Sequence, residues 1–149
     1  MRPVDITFTQ RPFTTLTLME FHDLVRLREE VFVVSQRITA EAEFDGKDPE
    51  ALHVLARDGA GRMVATARLF EAARPIKVGR ICVLPELQGQ GLGTRLMEHV
   101  HSVLGARPAA MSAQAHLVPW YASLGWQPTG GIYDECGIPH QRLTRNATA

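Results

Sequence analysis

Val83-Leu84-Pro85-Glu86-Leu87-Gln88-Gly89-Gln90-Gly91-Leu92-Gly93-Thr94 decides how this chain is read. The apolar run before it, Lys77 to Leu84, predicts a strand. The run after it, Gly91 to Leu104, predicts a helix that buries Leu92, Leu96, Val100, Val103 and Leu104. Between them stand three glycines at every second position. Without a Cβ the backbone turns freely and a ligand can approach closely. Amides of such a loop converge on an anion, and the helix behind adds its positive end. The stretch has the build of a phosphate or pyrophosphate cradle. A nucleoside-triphosphate loop needs Gly-Lys-Ser/Thr after its glycines, but Gly93-Thr94-Arg95 has no lysine. A dinucleotide loop needs G-x-G-x-x-G and an acidic residue about 20 positions later. Here the third glycine comes one position early, and the next acidic residue after Glu98 is Asp134.

A second stretch, Ala115-His116-Leu117-Val118-Pro119-Trp120-Tyr121-Ala122-Ser123-Leu124-Gly125-Trp126, predicts a short helix. Leu117, Trp120, Tyr121 and Leu124 share one face by their i, i+3, i+4, i+7 spacing, and Gly125 is placed to stop it. By spacing alone Tyr121 fits a core aromatic with its hydroxyl hydrogen-bonded as well as it fits a site residue.

Gln88-x-x-Gly91-x-Gly93 between strand and helix, followed by Tyr121-x-x-Leu124-Gly125-Trp126, resembles the GNAT superfamily of N-acetyltransferases. Leu27-Arg28-Glu29-Glu30-Val31-Phe32-Val33-Val34-Ser35-Gln36, Asp45-Gly46-Lys47-Asp48, His53, Ala67-Arg68-Leu69, Gly79-Arg80, Ser112-Ala113-Gln114-Ala115-His116 and Gly137-Ile138-Pro139-His140 are similar to its ElaA-like branch. Two positions depart from that branch: Ser35 stands where a glutamate usually precedes the glutamine, and Cys136 where an aspartate usually precedes Gly-Ile-Pro-His. The resemblance implies acetyl-CoA as co-substrate and a small-molecule or peptide amine as acceptor. It implies cofactor contacts at Ile81, Cys82 and Val83 and along Gln88, Gly89, Gln90, Gly91, Leu92, Gly93 and Thr94. Tyr121 becomes the general acid that protonates the departing thiolate. The central parallel strands, Lys77–Leu84 and Ala109–Ala113, are expected to splay so that the pantetheine arm can pair with the first.

The rest of the chain reads as follows. Ile6 to Phe13 is a strand candidate. Thr17-Leu18-Met19-Glu20 is a capping box with Leu16 and Phe21 as its hydrophobic staple. The helix it starts is expected to reach about Val33, with an apolar stripe of Leu18, Phe21, Leu24, Val25, Val31 and Phe32. Arg28 falls on that stripe and must snorkel or find a buried carboxylate partner; an internal ion pair is the expected reading, ahead of direct substrate contact. The acidic stretch with Glu41, Glu43, Asp45, Asp48 and Glu50 reads as a solvated loop, or as an attractor of a cationic amine. His53 to Arg57 and Arg62 to Phe70 flank a turn at Asp58-Gly59-Ala60-Gly61; Thr129 to Tyr133 and His140 to Thr144 supply two last strands, and the tail from Thr144 is expected to fray. The expected fold is one domain of the α/β (α+β) class: three layers, a mixed central sheet splayed between its fourth and fifth strands, and helices on both faces.

A chain of 149 residues with 45% hydrophobic content suits one packed domain. Its 16 basic and 16 acidic residues cancel, which argues against a nucleic-acid surface. No run approaches the roughly 20 apolar residues of a membrane span, and Met1-Arg2-Pro3-Val4-Asp5 lacks a secretory signal's apolar region. With two cysteines the expected home is a reducing cytoplasm, as a monomer or homodimer. The expected reaction moves an acetyl group to a primary amine by direct attack in a ternary complex. It needs a base, with Glu135, His140, His53, the acidic loop or a water chain as candidates, and an oxyanion donor near Val83 or Leu84. His99 and His101, two apart on a helix, face different ways, and no metal is expected. Two alternatives stay open: a non-catalytic acyl-CoA-binding module, and a thioesterase or acyltransferase using Cys136 as nucleophile.

Overall fold

The computed structural model describes residues 5–38 and 43–146. Met1 to Val4, Glu41 of the acidic stretch and the last three tail residues lie outside them. Seven strands form one sheet in the order β1-β2-β3-β4-β5-β7-β6. They are β1 (Thr7–Pro12), β2 (Leu52–Arg57), β3 (Met63–Phe70), β4 (Ile76–Val83), β5 (Ala109–Gln114), β6 (Gln127–Glu135) and β7 (Ile138–Arg145). Only β4 and β5 run parallel; every other pairing is antiparallel. Three α-helices, α1 (Leu18–Arg28), α2 (Leu92–Leu104) and α3 (Val118–Ser123), pack on it. Phe8 stacks on His99 of α2 with centroids 5.4 Å apart. Phe8 pairs with Ala56, so the next residue, Arg57, points to the opposite face, where it meets Asp23 of α1 at 3.2 Å. Helices therefore cover both faces, as the sequence predicts.

The capping box of α1 forms as read. The Glu20 N–H donates to the Thr17 hydroxyl at 3.0 Å, and the Thr17 N–H to the Glu20 carboxylate at 2.9 Å. The apolar stripe needs one correction: Leu18 is 91% exposed, while Leu24, Leu27 and Val31 are buried. At about 100° per residue, Leu18 lies about a third of a turn away from Leu24. Past Arg28 the helix widens into a π-type turn, Glu29–Ser35, instead of ending near Val33. In α2 the buried residues are Leu92, Leu96, Met97, Val100 and Leu104. His99 meets Gln10 at 2.8 Å, while His101 accepts the Trp126 indole N–H at 3.0 Å, so the two histidines point apart. Thr144 and Arg145 do not fray: they pair with β5 across from Ala110 and Ala109. No helix among the described residues is long and apolar enough to cross a membrane.

Three carboxylates of the acidic stretch are neither merely solvated nor free to attract a cation. Glu43, Asp45 and Asp48 pair with Arg28, Arg68 and Arg80 in one network. Arg28 is 1% exposed; its two terminal nitrogens donate to Asp48 at 2.9 and 3.1 Å, and its Nε donates to Glu43. Arg68 donates to Asp48 at 3.0 Å and to Asp45. Three buried or half-buried guanidinium groups thus meet three carboxylates, which satisfies the demand Arg28 creates on an apolar helix face. Glu50 stays exposed. Burial opposes ionisation of Asp48, but hydrogen bonds from Arg28 and Arg68 overcome it and hold its pKa below the usual aspartate value.

A carboxylate whose folded-state pKa is depressed contributes stability that is complete above its unfolded value, about 3.9, and fades as pH falls below it. Asp48→Asn leaves two buried arginines short of charge. We expect a loss of about 3–5 kcal/mol at pH 7. We also expect a flatter dependence of stability on pH below about 4. Urea denaturation between neutral and acid pH measures both.

Candidate active site

The site begins where β4 and β5 part. Their parallel pairing consists of Ile76 with Ala109 and Lys77 with Ala110, and then ends. Toward its carboxyl end β4 is bound on its β3 side only. Its register with β3 shifts between Thr66 and Arg68, and Arg80, at φ 48°, sits in the bulge. The Leu84 N–H donates to Val64 of β3 at 2.8 Å, which removes Leu84 as an oxyanion donor. Successive amides in a strand point to alternate sides. The Val83 and Ile81 amides therefore face the gap, while Cys82 pairs with Thr66. Cys82 is a core thiol: burial pushes it up to about 12.

One cavity, of about 340 Å³, lies on the glycine-loop side. Ile81, Cys82 and Val83 line it with Gln88, Gly89 and Gly93, and Trp120 and Tyr121 close it. Gly89 and Gly91 hold φ of 78° and 83°, a backbone that side chains resist. Gly91 is the N-cap of α2, and no side chain caps the helix. The loop is tied back by Gln88, whose Nε2 donates to the Val83 carbonyl at 3.0 Å. At Gly93 a Cβ would come into contact with the Trp120 ring at 3.4 Å, so a side chain longer than a methyl group would press on the indole. Uncapped amides at a helix start, a glycine bend and an open strand edge fit a pyrophosphate with an amide-bearing arm.

A second cavity, of about 160 Å³, lies on the other side of the gap. Phe32 of the π-type turn and Gln36, which caps it, line it, with Arg80, Ser112 and the β6–β7 hairpin residues Glu135, Cys136 and His140. Cys136 and Gly137 form that hairpin's two-residue loop at φ 54° and 79°, as in a type I′ turn. The hairpin sets Glu135 Oε2 at 3.3 Å from His140 Nε2. His140 Nδ1 lies 2.8 Å from the Ile138 carbonyl, which holds its proton there and turns Nε2 toward Glu135. His53, by contrast, is fully buried with Nε2 3.0 Å from the Asp48 carbonyl, and does not line the cavity.

Tyr121 and Ile81 line both cavities. Tyr121 is 5% exposed, and burial pushes its phenol pKa well above the ordinary value, so it keeps its proton at neutral pH. Several lining residues carried no assigned role in the sequence reading. Gln114 donates to Gln36 at 2.9 Å, spanning β5 and the π-type turn. The Ser112 hydroxyl contacts Tyr133 and lies 3.3 Å from Glu135. His116 lines the glycine-loop cavity. Period-2 alternation along β5 groups Ser112 with Gln114, but only the pairing of β5 with β7 brings Glu135 to them. Among the described residues no group of three His, Cys, Asp or Glu is placed to hold a metal ion.

A family model for the acetyltransferase (GNAT) domain matches residues 21–146. A UPF0039 protein of Schizosaccharomyces pombe is 32% identical over 145 residues, spanning 93% of this chain and 96% of its own. Protein ElaA of Escherichia coli is 32% identical over 139 residues, spanning 87% of this chain and 90% of its own. The crystal structure of Escherichia coli ElaA matches with a TM-score of 0.85 at 29% identity, over 95% of this chain and 99% of that one. An acyl-CoA N-acyltransferase from Pseudomonas aeruginosa matches with a TM-score of 0.87 at 33% identity, over 95% and 99% of the two chains. With its splayed β4–β5 pair, its glycine loop and these likenesses over nearly its whole length, the chain belongs to the GNAT acetyltransferase family.

Proposed function

We propose that this protein transfers an acetyl group from acetyl-CoA to a primary amine, by direct attack within a ternary complex. The observation that carries the reading is Tyr121, the shared wall of two cavities, one on the glycine loop and the other on Glu135 and His140. Acetyl-CoA, when bound, supplies the acetyl thioester. The loop from Gln88 to Thr94 holds the pyrophosphate, and the open edge of β4 at Ile81 and Val83 holds the arm. The Val83 N–H donates to the carbonyl oxygen as negative charge develops there. The Glu135–His140 pair carries one negative charge when its imidazole is neutral. It therefore takes one proton from the incoming ammonium, and the 43% exposed Glu135 side chain opens a route to water. As the new C–N bond forms and the C–S bond breaks, Tyr121 gives its proton to the sulfur, and the second proton that the nitrogen sheds as the amide forms returns to the phenolate. Holding both substrates at one wall makes the attack effectively intramolecular.

Three measurements test this. Tyr121→Phe keeps the ring and removes the proton. CoA affinity should change little, while single-turnover acetyl transfer slows by roughly 10² to 10⁴. An unchanged rate would reduce Tyr121 to a packed aromatic. Gly91→Val places a side chain at φ 83° and in the path of the pyrophosphate. The backbone strain costs about 1–2 kcal/mol. Calorimetry on the folded variant should show CoA affinity down by roughly tenfold or more, about 1.4 kcal/mol. Equal affinity in a folded variant would remove the loop from the cofactor site.

The third concerns Cys136. A thiol nucleophile predicts an acetylated cysteine and ping-pong kinetics. The negative charge of neighbouring Glu135 disfavours a thiolate at Cys136. Cys136→Ala should retain most activity, and intact-mass spectrometry with acetyl-CoA alone should show no stoichiometric adduct. A full adduct that an amine then discharges would overturn direct transfer.

A further inference from the structure

The acceptor cavity does not end at His140. A neighbouring cavity of about 280 Å³ shares Val78, Gly79, Arg80, Met111 and Ser112 with it. The two differ in charge. The first carries Glu43, Glu135 and His140 with Arg80, whereas the second is lined by Arg68, Lys77, Arg80 and Arg142, and by no Asp or Glu among the described residues.

The register places these groups on one face of the sheet. Lys77 lies opposite Ala110 on β5, Ala110 and Ser112 share a face, and Ser112 lies opposite Arg142 on β7. His140 is two residues from Arg142 on the same strand and therefore on the same face. Arg68 and Arg80 are already matched by Asp45, Asp48 and Glu43. The uncancelled charge comes from Lys77 and Arg142. Among the described residues neither is ion-paired with a carboxylate, and the Arg142 side chain donates to the Thr129 hydroxyl at 3.3 Å. The groove thus has a proton-accepting end beside Tyr121 and a cationic end that begins at Arg142, two residues or about 7 Å along β7 from His140, with Lys77 beyond it.

We infer that the acceptor is a small amine bearing a second, anionic group, a carboxylate or a phosphate ester, set roughly 7 Å from the reacting nitrogen. The ammonium is deprotonated at Glu135 and His140 while Lys77 and Arg142 hold the anion. A bidentate guanidinium suits either anion. A diamine would place its second positive charge against Lys77 and Arg142, and is disfavoured. This inference rests on the acetyl-transfer reading, and the experiment separates the two.

The test compares 6-aminohexanoate with its uncharged amide, with 1,6-diaminohexane and with 4-aminobutyl phosphate. CoA release gives kcat/KM for each, and calorimetry gives each Kd in the absence of turnover. We expect kcat/KM for at least one anionic acceptor to exceed that for the amide by tenfold or more; the better of the acid and the phosphate identifies the anion. In the Lys77→Gln/Arg142→Gln double variant that ratio should fall to near one, and in Arg142→Lys it should survive in part. The inference is overturned if the amide or the diamine serves as well as both anions, or if the ratio persists in the double variant. If no amine releases CoA, the acetyl-transfer reading fails. The binding arm then decides alone: anions that bind no tighter than the amide overturn the inference, and tighter binding lost in the double variant supports it.

Discussion

The divergence of β4 from β5 is the constraint on which the site depends. Two residue pairs hold the strands together, and beyond them each keeps only its outer neighbour. A sheet that stops pairing in its middle leaves backbone amides that need partners. In this chain that need falls on Ile81 and Val83, whose amides face the gap. The bulge at Arg80 turns β4 away as the gap opens, at the expense of a left-handed non-glycine residue. The gap also lets residues from both faces of the sheet approach one point, with Tyr121 from α3 on one side and the β6–β7 hairpin on the other.

The arginine–carboxylate network holds the other rim. Arg28 comes from α1, Arg68 and Arg80 from neighbouring strands, and their partners from the segment between α1 and β2. A hydrophobic cluster of the same size would be as stable or more so. Charge pairing instead fixes the segment's position relative to β4, so Glu43 and Arg80 line the cavity beside His140 together. The π-type turn directly after Arg28 brings Phe32 and Gln36 to the same cavity.

Strong local signals were legible in the sequence. The capping box at Thr17, the strand–loop–helix around Gly89 to Gly93 and the Tyr121 helix each follow from short-range rules, and each formed. Arg28 on an apolar stripe correctly demanded an internal partner, but sequence could not say which carboxylate, because Asp48 lies 20 residues away. For the same reason the acidic stretch read as solvated: acidic residues in a row look alike until the fold brings arginines to three of them. The strand assignments put Lys77 and Arg142 on separate strands, and only the order β4-β5-β7 sets them on one face. Long-range pairing decided the acceptor side, and short-range pattern decided the glycine-loop side.

The contact between Gly93 and Trp120 has a consequence for how this protein can vary. Gly93 lies in the first turn of α2 and Trp120 in the helix that carries Tyr121, and a Cβ at 93 would already be in contact with the indole, 3.4 Å away. A larger residue at 93 pushes on the indole, and through it on the neighbouring phenol, whose ring centroid is 4.8 Å away. Positions 93 and 120 are therefore one variable for selection or redesign. Volume gained at the first must be given up at the second, or the error is passed directly to Tyr121.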